Sequence, residues 1–111
     1  MIPQSDRVDL VFKALSDPIR LKILEFLLTA DRGCCAVPGH VCACDLETLV
    51  GLAQPTVSHH MKCLQQAGLV TAKKSGRWMY YSLAREKFAN ARRYLAPFAE
   101  GAPEDSAARA A

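Results

Sequence analysis

Apolar side chains crowd the stretch after residue 17. Ile19, Leu21, Ile23, Leu24, Phe26, Leu27 and Leu28 fall on most sides of any helix drawn through them. A helix apolar over most of its circumference belongs inside a core, so the pattern predicts the central helix of the domain here. Asp17-Pro18 supplies its start, a capping carboxylate followed by a residue suited to the first turn, and Asp31-Arg32-Gly33 its end. Upstream, Val8, Leu10, Val11, Phe12, Ala14 and Leu15 give an apolar side to a first helix that Ser5 can cap.

From Cys34 to Cys44 no helical period is present and Pro38-Gly39 marks a turn, so a loop is expected. Asp45 can cap a short helix from Leu46 to about Val50, stopped at Gly51. Gln54-Pro55 opens another, which Gly68 closes as a left-handed C-terminal residue. Two short helices joined by a tight glycine-containing turn make a helix-turn-helix. The period then changes to two. Leu69-Val70-Thr71-Ala72-Lys73 and Arg77-Trp78-Met79-Tyr80-Tyr81-Ser82-Leu83 flank a turn at Lys74-Ser75-Gly76, a β-hairpin with basic residues around its tip. A last helix is predicted from about Arg85 to Phe98, where Phe88, Ala91, Leu95 and Phe98 or Ala99 recur at helical spacing. That stripe needs a partner surface, and the pattern leaves both the domain core and a second subunit open. The order of elements is that of a winged helix-turn-helix of mainly α (α+β) class, with about five helices and a two-stranded hairpin wing. It occupies residues 1–100, and the small, polar tail 101–111 is expected to be disordered.

A chain of 111 residues, half of it apolar, can bury one compact core and not two. No apolar run approaches the ~20 residues needed to cross a bilayer. Met1-Ile2-Pro3-Gln4-Ser5-Asp6 lacks the basic-then-apolar order of a secretory signal, so a soluble cytoplasmic protein without a membrane partner is expected. The net charge is only +3, yet Lys62, Lys73, Lys74, Arg77, Arg85, Lys87, Arg92 and Arg93 all lie in the second half, where carboxylates are few. A basic half can neutralise phosphates and release counterions, or can be a solvated Lys/Arg face; the motif that follows decides for double-stranded DNA as partner.

The second helix of the helix-turn-helix has the composition that groove entry requires. Gln54, Thr56, Ser58 and His59 cluster at its N-terminal end, where such a helix meets base edges and phosphates. Val57, Met61 and Leu64 form a stripe that can dock on the core, and Lys62, away from it, suits a phosphate, as do Lys73, Lys74 and Arg77 on the hairpin. His59 and His60 diverge by roughly 100° as helix neighbours, so they cannot share an ion well; His59 is taken as the exposed one.

Three segments, Ala14-Leu15-Ser16-Asp17-Pro18-Ile19-Arg20-Leu21-Lys22-Ile23-Leu24, Gln54-Pro55-Thr56-Val57-Ser58-His59-His60-Met61 and Gly76-Arg77-Trp78-Met79-Tyr80-Tyr81, resemble the ArsR/SmtB family of metal-sensing repressors. The resemblance covers roughly residues 5 to 98. It implies a homodimer joined through the first and last helices, with recognition helices in successive major grooves. It also implies repression without metal and release when metal binds.

Five cysteines, Cys34, Cys35, Cys42, Cys44 and Cys63, make the sensing side concrete. In a reducing cytosol such a cluster more often means metal or redox sensing than structural disulfides. Cys42-Ala43-Cys44-Asp45-Leu46 is similar to the Cys-x-Cys-Asp-Leu of the family. Arsenic-sensing members commonly follow it with a third cysteine where this chain has Glu47, and Cys34 or Cys35 can substitute. Arsenite or antimonite takes three soft thiolates, whereas Cd, Pb or Zn usually adds a fourth ligand; clustered Cys34, Cys35, Cys42 and Cys44 permit both. Chelation by Cys42 and Cys44 is expected to hold their stretch extended and pull on the Asp45 cap, because residues i and i+2 share a side only in extended chain. His40 is read as a solvated loop residue and Cys63 as a small buried apolar one. Cadmium- and lead-sensing relatives that use the Cys63 position add a cysteine one turn later, where Ala67 stands, and the last-helix zinc site of the family lacks its His and Asp. The rival readings are a thiol-redox repressor, pairing Cys34 or Cys35 with Cys42 or Cys44, a cysteine-nucleophile enzyme, and a winged helix that binds protein and not DNA, which a flat salt dependence of binding to any duplex would support. The enzyme would have only His40 as base and no substantial cleft, so the chain is not read as an enzyme.

Overall fold

The computed structural model describes residues 7–29 and 41–101. The Ser5 cap, Cys34, Cys35, His40 and the tail from residue 102 lie outside them. The first helix, α1 (Val8–Leu15), buries Val8, Val11 and Ala14 along one side, and Arg7 before it offers no capping side chain. Asp17 Oδ1 accepts from the N–H groups of Ile19 (2.8 Å) and Arg20 (3.4 Å), starting α2 (Pro18–Thr29) as its carboxylate predicts. The all-round burial expected of α2 does not hold. Ile23, Leu24 and Leu27 enter the core, while Leu21 and Leu28 remain exposed. One flank of α2 meets α1, α3, α4 and the sheet; the other opens onto an apolar groove of about 550 Å³ shared with the last helix.

Two corrections concern the middle of the chain. Val41–Cys42 is a short strand, β1, and α3 (Ala43–Val50) begins directly after it, with Cys42 rather than Asp45 as the capping residue. The wing is therefore three-stranded, order β1-β3-β2, with Val41 opposite Tyr81 and Cys42 opposite Tyr80. A strand of two residues leaves no alternation to read, so only its pairing reveals it.

Gly51 (φ +67°) ends α3 in the left-handed region, and α4 (Gln54–Gln66) follows. It closes in a Schellman motif: Gly68 N–H donates to Gln65 O (2.9 Å) and Leu69 N–H to Leu64 O (3.0 Å), with Gly68 at φ +79°. That reversal feeds β2 (Val70–Ser75), which pairs along its length with β3 (Trp78–Leu83) from Val70 opposite Leu83 to Ser75 opposite Trp78. The connecting turn is Gly76-Arg77, two positions later than the expected start at Lys74, because the ladder continues through Ser75. Ile23, Leu46, Met61, Leu64, Leu69 and Val11 form the fully buried centre. The last helix, α5 (Arg85–Glu100), returns beside α1, with Phe12 and Tyr94 rings 5.9 Å apart.

Gly68 tests the α4–β2 reversal. A Cβ there would stand 2.9 Å from Lys87 Cγ on a left-handed backbone, so Gly68→Ala should lower stability by about 1–2 kcal/mol in thermal or denaturant unfolding. Gly51→Asn, with open space and a residue that tolerates this conformation, should be far milder. Asp17 carries a pH signature. Desolvation pushes its pKa up, but the N–H groups of Ile19 and Arg20 and the charges of His60 and Arg20 outweigh it and hold the carboxyl below the usual aspartate value. Its stabilisation is therefore present above that usual value and fades as pH falls through the lowered native one. Asp17→Asn keeps the capping oxygen and should flatten the acid limb of a denaturation-midpoint profile.

Candidate DNA-reading helix and thiol site

Two faces of α4 have separate jobs. Val57, Met61 and Leu64 are buried, which anchors the helix to the core. Gln54, Thr56, Ser58, His59 and Lys62 are all exposed, and Gln54 Nε2 donates to Ser58 Oγ (3.3 Å) across the first turn. Ala53 contributes no capping side chain and the first turn holds no carboxylate, so the positive end of the helix dipole is left for an outside anion. Lys73, Lys74 and Arg77 are exposed on the hairpin. Antiparallel pairing sets Lys73 opposite Tyr80 and Lys74 opposite Met79, which places the two lysines on opposite faces of the sheet.

The histidines separate as the helical angle requires: His59 is exposed, His60 half-buried, with their rings tilted and 5.8 Å apart. His60 Nδ1 is buried without a hydrogen-bond partner among the described residues. Cys63 departs from the sequence expectation. It is half-buried, and its Sγ lies 3.8 Å from His59 Nε2, both lining a cavity of about 510 Å³ against Lys13, Ser16 and Arg20. The i, i+4 spacing of His59 and Cys63 was the available signal, masked by the high burial usual for cysteine.

Cys42 and Cys44 come together, although not as an extended pair. Cys42 (φ −72°, ψ 147°) is the extended N-cap and Cys44 lies in the first turn of α3. Their sulfurs are 2.7 Å apart, and Cys44 N–H donates to Cys42 Sγ (3.4 Å). Asp45 completes a reciprocal capping box by accepting from Cys42 N–H at 3.2 Å. The N-cap side chain folds back over the first turn, and this is what brings i and i+2 onto one side where a regular helix would not. Cys42 is 1% exposed and paired with Tyr80 across the sheet. Two converging thiols suit a soft ion. Among the described residues no group of three or more His, Cys, Asp or Glu assembles, and any further thiolate would come from Cys34 or Cys35, outside them.

The last helix carries its apolar stripe past the end of the domain body. Ala91 is 6% exposed, whereas Leu95 and Phe98 on the same side are left open, Phe98 at 73%. Leu10 of α1 and Tyr94 extend this exposed apolar surface. No helix among the described residues is long and apolar enough to cross a membrane.

Comparison with known proteins follows the same lines. Residues 17–72 match the family model for bacterial regulatory proteins of the arsR family. An arsenical resistance operon repressor of Staphylococcus xylosus is 45% identical over 68% of this chain and 64% of its own length. A cadmium resistance transcriptional regulatory protein CadC homolog of Staphylococcus aureus is 37% identical over 68% and 56%. Both alignments thus span less than two thirds of the relative. The solved structure of an ArsR-like transcriptional regulator from Rhodococcus sp. RHA1 superposes with a TM-score of 0.69 at 29% identity, covering 91% of this chain and 87% of that one. The winged helix, the uncapped α4 and the matched segment lead to one conclusion: this chain belongs to the arsR family of bacterial regulatory proteins and is a DNA-binding transcription regulator.

Proposed function

We propose that the chain is a metalloid-responsive repressor that holds operator DNA as a homodimer and releases it when arsenite or antimonite binds its thiolates. The observation that carries this reading is the convergence of Cys42 and Cys44 at the N-cap of α3. Cys34 or Cys35 supplies the third thiolate, and arsenical resistance repressors among the relatives support the inducer class. Gln54, Thr56, Ser58, His59 and Lys62 address the major groove, while Lys73, Lys74 and Arg77 hold phosphates. The open stripe of Leu95 and Phe98, with Leu10 and Tyr94, is the surface that a second copy covers through α1 and α5.

The coupling follows from the double use of one residue. Cys42 Sγ caps α3, and the backbone of the same residue pairs with β3 of the wing. An ion shared by the two sulfurs would compete with the Cys44 N–H for Cys42 Sγ and draw that sulfur off the helix end, weakening the cap of α3. A lost N-cap is worth about 1 kcal/mol. A tenfold change in operator affinity needs about 1.4 kcal/mol, so loss of the cap is of the order of one such step at most. Because α4 follows α3 after only Gly51-Leu52-Ala53, a shift of α3 re-aims the reading helix.

Titrating the reduced protein on the duplex flanking its own coding sequence with arsenite, antimonite, Cd, Pb and Zn tests the proposal. Arsenite should release DNA from the wild type and leave Cys42→Ser and Cys44→Ser bound; release retained in both variants would end the reading. Stronger action by Cd, Pb or Zn would reassign the inducer, and peroxide acting with chelator present would favour the redox rival. A second expected outcome separates cap from ligand. Cys42→Ser, which retains an acceptor, should stay near wild-type stability, whereas Cys42→Ala should lose about 1 kcal/mol in denaturant melts.

A further inference from the structure

Strand alternation divides the side chains of β3 into two sets. Met79, Tyr81 and Leu83 pack into or against the hydrophobic core, and Trp78, Tyr80 and Ser82 face the other way. Across the ladder this second face carries Lys73 opposite Tyr80 and Ser75 opposite Trp78. Tyr80 is covered, but Trp78 is 46% exposed. The other large apolar side chains left open among the described residues lie on α1, α2 and α5; Trp78 alone lies on the hairpin. No aromatic ring among the described residues stacks on it. Lys73 on the same face and Arg77 in the adjoining turn are exposed and have no ion-pair partner among the described residues.

An indole half in water forgoes burial unless something else covers it. Here its neighbours, Lys73 and Arg77, are unpaired cations toward the tip of the hairpin that follows α4. A nucleic-acid backbone presents the complement of this arrangement, with phosphates for the cations alternating with sugars whose carbon faces suit an aromatic plane. A neutral protein surface would satisfy the indole and leave the cations unmatched. We propose that Trp78 is a further DNA-contacting residue, its indole lying against a deoxyribose of the strand whose phosphates Arg77 and Lys73 hold. The contact rests on the DNA-binding reading and adds to it an apolar term that charge counting does not include.

That term has its own signature. Cation–phosphate contacts release counterions and steepen the salt dependence of binding, whereas an indole against a sugar does not. Trp78→Ala should weaken binding about tenfold, about 1.4 kcal/mol, on the flanking duplex and on an unrelated one alike, with an unchanged salt slope. Arg77→Ala should lower that slope by about one. Trp78→Phe should restore most of the affinity. Because Trp78 is the only tryptophan, its fluorescence reads the contact directly in the unaltered protein: bound duplex should protect it from acrylamide quenching. Undiminished quenching in the complex would overturn the proposal, as would wild-type affinity in Trp78→Ala. A slope loss in Trp78→Ala equal to that of Arg77→Ala would also overturn it, since the hairpin rather than the contact would then have failed. Absence of wild-type binding to either duplex would remove the DNA-binding reading together with the contact.

Discussion

One residue joins the start of α3 to the edge of the sheet. Cys42 Sγ accepts from the backbone at the start of α3, and the reciprocal bond from Cys42 N–H to Asp45 closes the capping box. The same residue is paired to β3, so the start of α3 and the edge of the wing are set by a single backbone position. A helix end depends on few bonds, and those bonds are lost together when the capping atom is withdrawn. Serine or aspartate would cap at least as well. A thiol adds affinity for soft ions, and with Cys44 Sγ at 2.7 Å it has a second donor beside it.

The remaining architecture makes a small change at that position consequential. α3 and α4 are separated by three residues, and α4 is fixed by a narrow buried stripe rather than by packing on all sides. Its polar face is exposed, and its N-terminus, without a capping side chain or a carboxylate in the first turn, is open to an outside anion. A reading helix held in this way keeps its shape but changes its aim when its neighbour moves. The same economy governs α5, whose inner stripe is used once inside the domain, at Ala91, and again beyond it, at Leu95 and Phe98. The second use is what the proposed dimer consumes.

Much of this was legible in the chain. The start of α2 at Asp17-Pro18, the close of α4 at Gly68 and the exposure of Gln54, Thr56, Ser58, His59 and Lys62 follow from local rules that need no tertiary partner. Where the reading failed, the deciding contact was distant in sequence. β1 exists because Val41 and Cys42 meet Tyr81 and Tyr80 some forty residues on, and α3 starts early because Cys42, seated by that pairing, turns its sulfur onto the helix. Leu21 and Leu28 stay open because only one flank of α2 is covered within the described chain.

The sequence by itself determined the order of elements, the apolar face of each helix and the presence of thiols ahead of the reading helix. Periodicity and capping are properties of neighbours a few residues apart, and so they survive in a linear string. Tertiary structure alone decided that two cysteines at i and i+2 converge, that Cys63 faces His59 beside a cavity, and that the indole of Trp78 is left in the open. Convergence and exposure depend on which surfaces meet across the fold, and no local pattern encodes that.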